Sequence, residues 1–364
     1  MQLLIQQLQD NDKRVRSGAI DEIKKLGPQA KAALPALILL LKDPEDDLRR
    51  GAAEAIGRMG GEAKAAIPAL IEALKDKNSL VRGNAAFALG MIGPEARPAV
   101  PALSESLKDQ AQLVRSNAAY ALGRIGSDAK ASVPSLIELL GDQNEAVRKE
   151  AAEALGKIGN EAKAAVPTLV TLLNDRNAAV RRHAAEALGR IGTEAKPAVP
   201  ALMKLLTDQE FVVRMHAVYA LEKIGIERKE AVTMWTKLLQ DKSEHIRGYA
   251  AESLSKIGPD AKTAIPGLID SLKDQDWSVR SSAAKALGKM GIEAKVAVPA
   301  LIELLRDGNP IVRANAATAL GEMGDAAKIA ISALTKLLED QAQIVRLSAT
   351  QSINKLGSSG ARPQ

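Results

Sequence analysis

The side chains best suited to metal or acid–base chemistry in this 364-residue sequence are three histidines, His183, His216 and His245, and the carboxylates near two of them. His183 and Glu186 stand one helical turn apart, with Glu150, Glu153 and His216 in flanking segments. Imidazole with carboxylate is a ligand set for zinc or iron. Adjacent helices would hold these groups too far apart, so we expect no metal and no cofactor. The absence of cysteine excludes disulfides, thiolate zinc sites and cysteine nucleophiles. Neither a Gly-rich phosphate loop nor a Ser-His-Asp arrangement appears, so no catalytic residue is assigned and the chain reads as a non-enzyme. What remains is recognition chemistry, carried by a few aromatic and many basic side chains.

The elements that position these residues are set by a strict repeat. An aliphatic-Arg pair falls at Val15-Arg16 and returns every 33 residues, eleven times, to Val345-Arg346. A fixed period in this range means stacked units that bury their apolar faces against one another. The length alone would suggest two or three globular domains. The unbroken repeat overrides that expectation in favour of a single solenoid over residues 1–357. With 46% hydrophobic and 26% charged residues the chain has the composition of a folded protein. Its longest apolar run, Ala32 to Leu41, contains Pro35 and is too short to span a bilayer. A net charge of +6 mildly favours acidic partners.

Residues 127–159 serve as the example. In the second half Val147, Ala151, Ala154, Leu155 and Ile158 recur at helical spacing. Asn144 is placed to cap this helix, and Asp, Asn or Ser fills that slot in seven repeats. Gly159 closes it, and Gly holds that position in all eleven repeats, as a left-handed C-cap requires. The first half predicts another helix, with Val133, Leu136, Leu139 and Leu140 inward and Pro134 in its first turns. Two antiparallel helices per repeat give an all-α, right-handed α-solenoid. Each repeat also has an Asp six residues before its Arg, from Asp10 to Asp340. At the turn this Asp can accept backbone N–H groups and a guanidinium, forming a ladder that pins neighbouring turns.

The string V-R-x-x-A-A-x-A-L-G-x-I-G, as in Val147 to Gly159, resembles HEAT repeats, specifically the phycobilisome-lyase-like type. The resemblance covers essentially the whole chain. It implies a scaffold for other proteins, with the second helices lining the concave face. Deoxyhypusine hydroxylase resembles a HEAT array whose His-Glu dipeptides bind iron, but no His here precedes a Glu. A bilin-lyase-like accessory role has no diagnostic residue beyond the repeat. HEAT-like DNA glycosylases need a compact aromatic and acidic cleft, whereas Tyr120, Tyr219, Tyr249 and Glu252 spread over several repeats.

Partner binding should sit where the repeats differ and point outward. Numbering repeats by their Arg, the positions two and five after it hold His183, His216 and Tyr249, and Phe87, Tyr120 and Tyr219. These are six of the ten His and aromatic residues in the chain, where about 0.6 would fall by simple counting. Repeats 6 to 8 concentrate Arg182, His183, Met215, His216, Tyr219 and Tyr249. They also break the pattern: Glu222 and Ser255 replace a recurrent Gly, Thr233 replaces the Pro and Trp235 a core Leu. We therefore expect a protein or extended-peptide site on Arg182, His183, Met215, His216, Tyr219 and Tyr249, with Phe87 and Tyr120 as a second contact region. Trp235 occupies an apolar column and belongs to the core.

Nine residues after the Arg, nine repeats carry Lys or Arg, and a second basic column, Lys31 to Lys328, lies on the first helices. Such a stripe can track nucleic-acid phosphates. Basic residues on both helices, with only seven aromatics for base stacking, disfavour that reading. Both ends read as trimmed, Met1 falling inside a first helix and residues 358–364 forming a disordered tail. Leu3, Leu4 and Leu8 lack a preceding repeat, which would let an otherwise monomeric chain associate end to end.

Overall fold

The structure, a computed structural model, describes residues 1–358. The tail expected at 358–364 lies outside the described residues, except for Ser358, whose backbone ends the helix Gln343–Ser358. The described elements are α- and 3-10 helices, with no strand among the described residues. The chain forms two compact units, Met1–Gly225 and Ile226–Gln364, each a run of paired helices in which every repeat packs on the next.

Within a repeat, what the sequence presents as one first helix is two pieces. Gly126–Ser132 is a 3-10 stretch and Val133–Leu139 a short α-helix. Pro134 stands in the first turn of the α-helix, where its missing N–H has no intrahelical partner to lose, and Val133 before it is already α-helical, with φ −53° and ψ −46°. The same division precedes Ser332, so the proline does not by itself make it. Where Thr233 replaces this Pro, the helix Arg228–Leu238 runs unbroken, started by a capping box between Glu227 and Glu230. The second helix, Glu145–Ile158, begins at Asn144, whose side chain accepts the Ala146 N–H at 2.9 Å.

Gly159 does not adopt the left-handed α-conformation expected of it. Its φ of 74° comes with ψ of −139°, a region nearly restricted to glycine, which turns the chain directly into the next 3-10 stretch. Gly225, with φ 79° and ψ 74°, is the left-handed C-cap, and no 3-10 stretch follows it.

Val133, Leu136, Leu139 and Leu140 meet Val147, Ala151, Ala154, Leu155 and Ile158 in the core, all buried. Trp235 is buried as well, at 3% exposure. Small residues set the spacing of the second helices. A Cβ on Gly156 would lie 2.9 Å from Ala187 Cα, and one on Gly123 equally close to Ala154 Cα.

The Asp–Arg ladder forms, and its rungs cross between repeats. Arg148 donates from Nε and Nη2 to both carboxylate oxygens of Asp175 in the next repeat, at 2.8 and 3.0 Å. Its Nη1 donates to the Asp142 and Gln143 carbonyls of its own repeat, at 2.8 and 3.1 Å. Asp175 also accepts the Asn177 N–H at 2.8 Å. The same paired geometry recurs at Arg49–Asp76, Arg82–Asp109, Arg115–Asp142 and Arg181–Asp208 in the first unit. In the second unit it recurs at Arg247–Asp274, Arg280–Asp307 and Arg313–Asp340. The Arg82 guanidinium holds the Asp109 carboxyl below its usual range; burial pushes it upward, and the Ala111 N–H adds to the lowering.

Candidate protein-interaction face

On each second helix, the positions two before and two, five and nine after the Arg are spaced i, i+4, i+7 and i+11, so they share one face. Repeat 3 presents Leu80, Asn84, Phe87 and Met91 there, and repeat 4 Leu113, Asn117, Tyr120 and Arg124. The Phe87 and Tyr120 rings stack, with centroids 5.5 Å apart and planes at 17°. Tyr120 also donates its hydroxyl to Met91 Sδ at 3.5 Å and carries Lys157 Nζ 5.7 Å from its ring centre. A Cβ on Gly90 would sit 2.9 Å from the Tyr120 ring, which therefore lies against the backbone of the preceding helix.

In repeat 7, Tyr219 is 40% exposed, with Lys223 Nζ 5.6 Å from its ring centre. His216 is half-buried and donates from Nδ1 to the Val212 carbonyl at 2.8 Å; Met215 beside it is also half-buried. In the second unit, Tyr249 is half-buried, meets Trp235 edge-on at 5.5 Å and lies 5.9 Å from Lys256 Nζ.

His183 does not point outward as its column predicts, since only 6% of it is accessible. The half-buried Arg182 guanidinium donates to its Nε2 at 2.5 Å, which leaves the ring proton on Nδ1. That nitrogen is 3.7 Å from Glu153 and 3.8 Å from Glu186, beyond hydrogen-bonding reach. Burial pushes the His183 pKa down to about 4, and the Arg182 charge adds to the effect. Both carboxylates are already held, Glu153 by Lys157 at 2.7 Å and Glu186 by Arg190 at 2.8 Å. Among the described residues no group of three His or carboxylate ligands is placed to hold a metal ion.

Much of the basic stripe is occupied by carboxylates. Arg58 pairs with Glu54 at 3.0 Å, Lys256 with Glu252 at 3.5 Å and Lys355 with Glu322 at 2.8 Å. On the first helices Lys31, Lys130 and Lys163 reach Glu62, Glu161 and Glu194 of the following repeat. Away from this face, a groove of about 550 Å³ is lined by Leu173, Lys204, Thr207 and the Arg181–Asp208 rung.

The column two residues before the Arg, outside the columns singled out in the sequence, holds five exposed hydrophobic residues: Leu80, Leu113, Val212, Ile311 and Ile344. The signal was available, because an aliphatic residue four before an outward-facing position lies on the same side of a helix.

No curated protein matches the chain in sequence. Among solved structures, it is similar to a chain in a homology model of the full-length AP-3 complex in an intermediate open conformation. That match has 14% identity and a TM-score of 0.71, covering 96% of this chain and 74% of the other. Importin β matches at 18% identity with a TM-score of 0.60, over 98% of this chain and 56% of importin β. Kap95p, in its complex with RanGDP, matches at 15% identity with a TM-score of 0.54, over 97% and 55%. This chain thus spans about half the length of importin β and of Kap95p. No helix among the described residues is long and apolar enough to cross a membrane. The family model for HEAT repeats matches seven overlapping windows, from 1–90 and 35–123 through to 265–354. With its paired helices, glycine-ended turns and ladder of Arg–Asp rungs recurring across those windows, this chain belongs to the HEAT-repeat family.

Proposed function

We propose that the chain is a non-enzymatic scaffold that binds a protein or an extended peptide along the exposed face of its second helices, as the concave face of a HEAT array. The observation that carries this reading is the Tyr120 ring, stacked on Phe87 and covered by Lys157. Aromatic groups already fixed in this way bind with little further loss of conformational freedom. In the first unit Phe87 and Tyr120 form one contact region, and Arg182, Met215, His216 and Tyr219 form another. His183 acts from behind Arg182, as the acceptor that orients its guanidinium. Tyr249 supplies an anchor in the second unit, and the cations at the helix ends steer acidic segments toward the face. Kap95p, similar in fold, binds a protein, RanGDP.

Affinity capture from a nuclease-treated lysate of the source cell tests this, with a His216→Ala, Tyr219→Ala, Tyr249→Ala variant alongside. A protein retained by the parent and lost by the folded variant is the expected result. Equal retention by both would remove these anchors from the site. Loss of all retention on nuclease treatment would move the assignment to nucleic acid.

A further inference from the structure

We propose that repeats 3 and 4 form a docking window for an extended partner segment bearing two bulky apolar side chains and an acidic residue, a refinement that rests on the scaffold reading above. Three observations converge on this window. The first is a gap in surface charge. Ion pairs cover this face in repeat 2, between Asp47 and Arg50 and between Glu54 and Arg58. They cover it again in repeat 5, between Lys149 and Glu150 and between Glu153 and Lys157. Between them the face presents Leu80, Phe87, Met91, Leu113 and Tyr120, with Leu80 and Leu113 among the exposed hydrophobic residues of the chain. A contiguous apolar patch framed by charge is the usual form of an interaction site.

The second observation is that the window is preorganised. A Cβ on Gly83 would lie 3.0 Å from Leu113 Cγ, so Leu113 rests directly on the neighbouring helix. Asn117 ties the two helices by donating to the Gly83 carbonyl at 2.9 Å. The third is Arg124. Its counterparts Arg58, Lys157, Arg190 and Lys256 each pair with a Glu four residues earlier, but that position in repeat 4 is Tyr120. Arg124 is exposed and, among the described residues, makes no ion pair. It is therefore a guanidinium at the edge of an apolar patch, suited to a partner carboxylate.

Helix geometry sets the spacing of the partner segment. Leu80 and Phe87 are seven residues apart, or about 10 Å along a helix. An extended chain covers that distance in about three residues. Arg124 lies one turn beyond Tyr120, about 6 Å, or roughly two extended residues. The matching ligand has an apolar residue, a second apolar residue three positions on and Asp or Glu two positions further, in either chain direction.

Selection of random 12-residue peptides displayed on phage against the full chain tests this, followed by anisotropy titration of the enriched synthetic peptides. We expect that apolar-x-x-apolar-x-acidic spacing, in one direction or the other. Affinity should fall about tenfold or more for Phe87→Ser with Leu113→Ser. Arg124→Glu, a change at an exposed position that leaves packing intact, should weaken the acidic peptides about tenfold and favour versions with Lys in place of the acid. Peptides without an apolar pair, or bound equally by parent and window variants, would overturn the proposal. If such peptides instead lose affinity for Tyr219→Ala or Tyr249→Ala, the window falls and the scaffold reading stands. Failure to enrich any peptide would count against both.

Discussion

Arg148 and Asp175 are nearly fully desolvated, their side chains 9% and 10% exposed, and each keeps its hydrogen bonds satisfied. Replacing Arg148 with Met would leave a buried carboxylate uncompensated and should cost about 3 kcal/mol in urea unfolding. Lys163→Ala, at an exposed pair 3.9 Å apart, should change stability by no more than about 0.5 kcal/mol. The ladder carboxylates are held below their ordinary pKa in the folded chain, so their contribution is full above about pH 4 and is lost as the pH falls through the folded values. His183 acts over a different window. Its folded pKa is depressed from 6.5 to about 4, so between those values the unfolded chain takes up a proton that the native ring does not. Stability should therefore fall as pH drops from 6.5 toward 4. Denaturant midpoints across that range should slope less for His183→Gln than for the parent.

The close approach of second helices predicts a sharp dependence on side-chain volume. Gly156→Ala would place a methyl 2.9 Å from the Ala187 backbone and should destabilise by about 1–3 kcal/mol in thermal unfolding. Gly61→Ala, with nothing within 4 Å, should be neutral or slightly stabilising. The apolar periodicity of the second helices is legible in the sequence because Val147, Ala151, Leu155 and Ile158 keep helical spacing to the closing glycine. The 3-10 stretch is not, since the short run Gly126–Ser132 has no periodicity to separate it from an α-helix. A glycine signals positive φ but not ψ, which is why Gly159 reads as a left-handed cap. Nor does a strict repeat reveal ladder partners. The Asp six residues before one Arg also lies 27 after the previous one, and only the folded arrangement shows that Arg148 takes Asp175. For the candidate site, the outward columns were readable from spacing. The burial of His183 was not, because it depends on how Arg182 and the flanking helices cover the ring.

At the scale of the whole molecule, each of the two units is a run of paired helices in which one repeat packs on the next, so the same second-helix face recurs along each unit. The scaffold assignment itself makes one direct claim, that binding belongs to the second-helix face. The measurement that tests it most directly is capture from nuclease-treated lysate by three folded forms: the parent, a Phe87→Ser, His216→Ala, Tyr219→Ala form and a Glu72→Arg, Glu105→Arg, Glu138→Arg form altered on exposed first-helix positions. Retention of the same protein by the parent and the first-helix form, with loss from the second-helix form, is the predicted result. Retention lost only when the first helices are changed would contradict it.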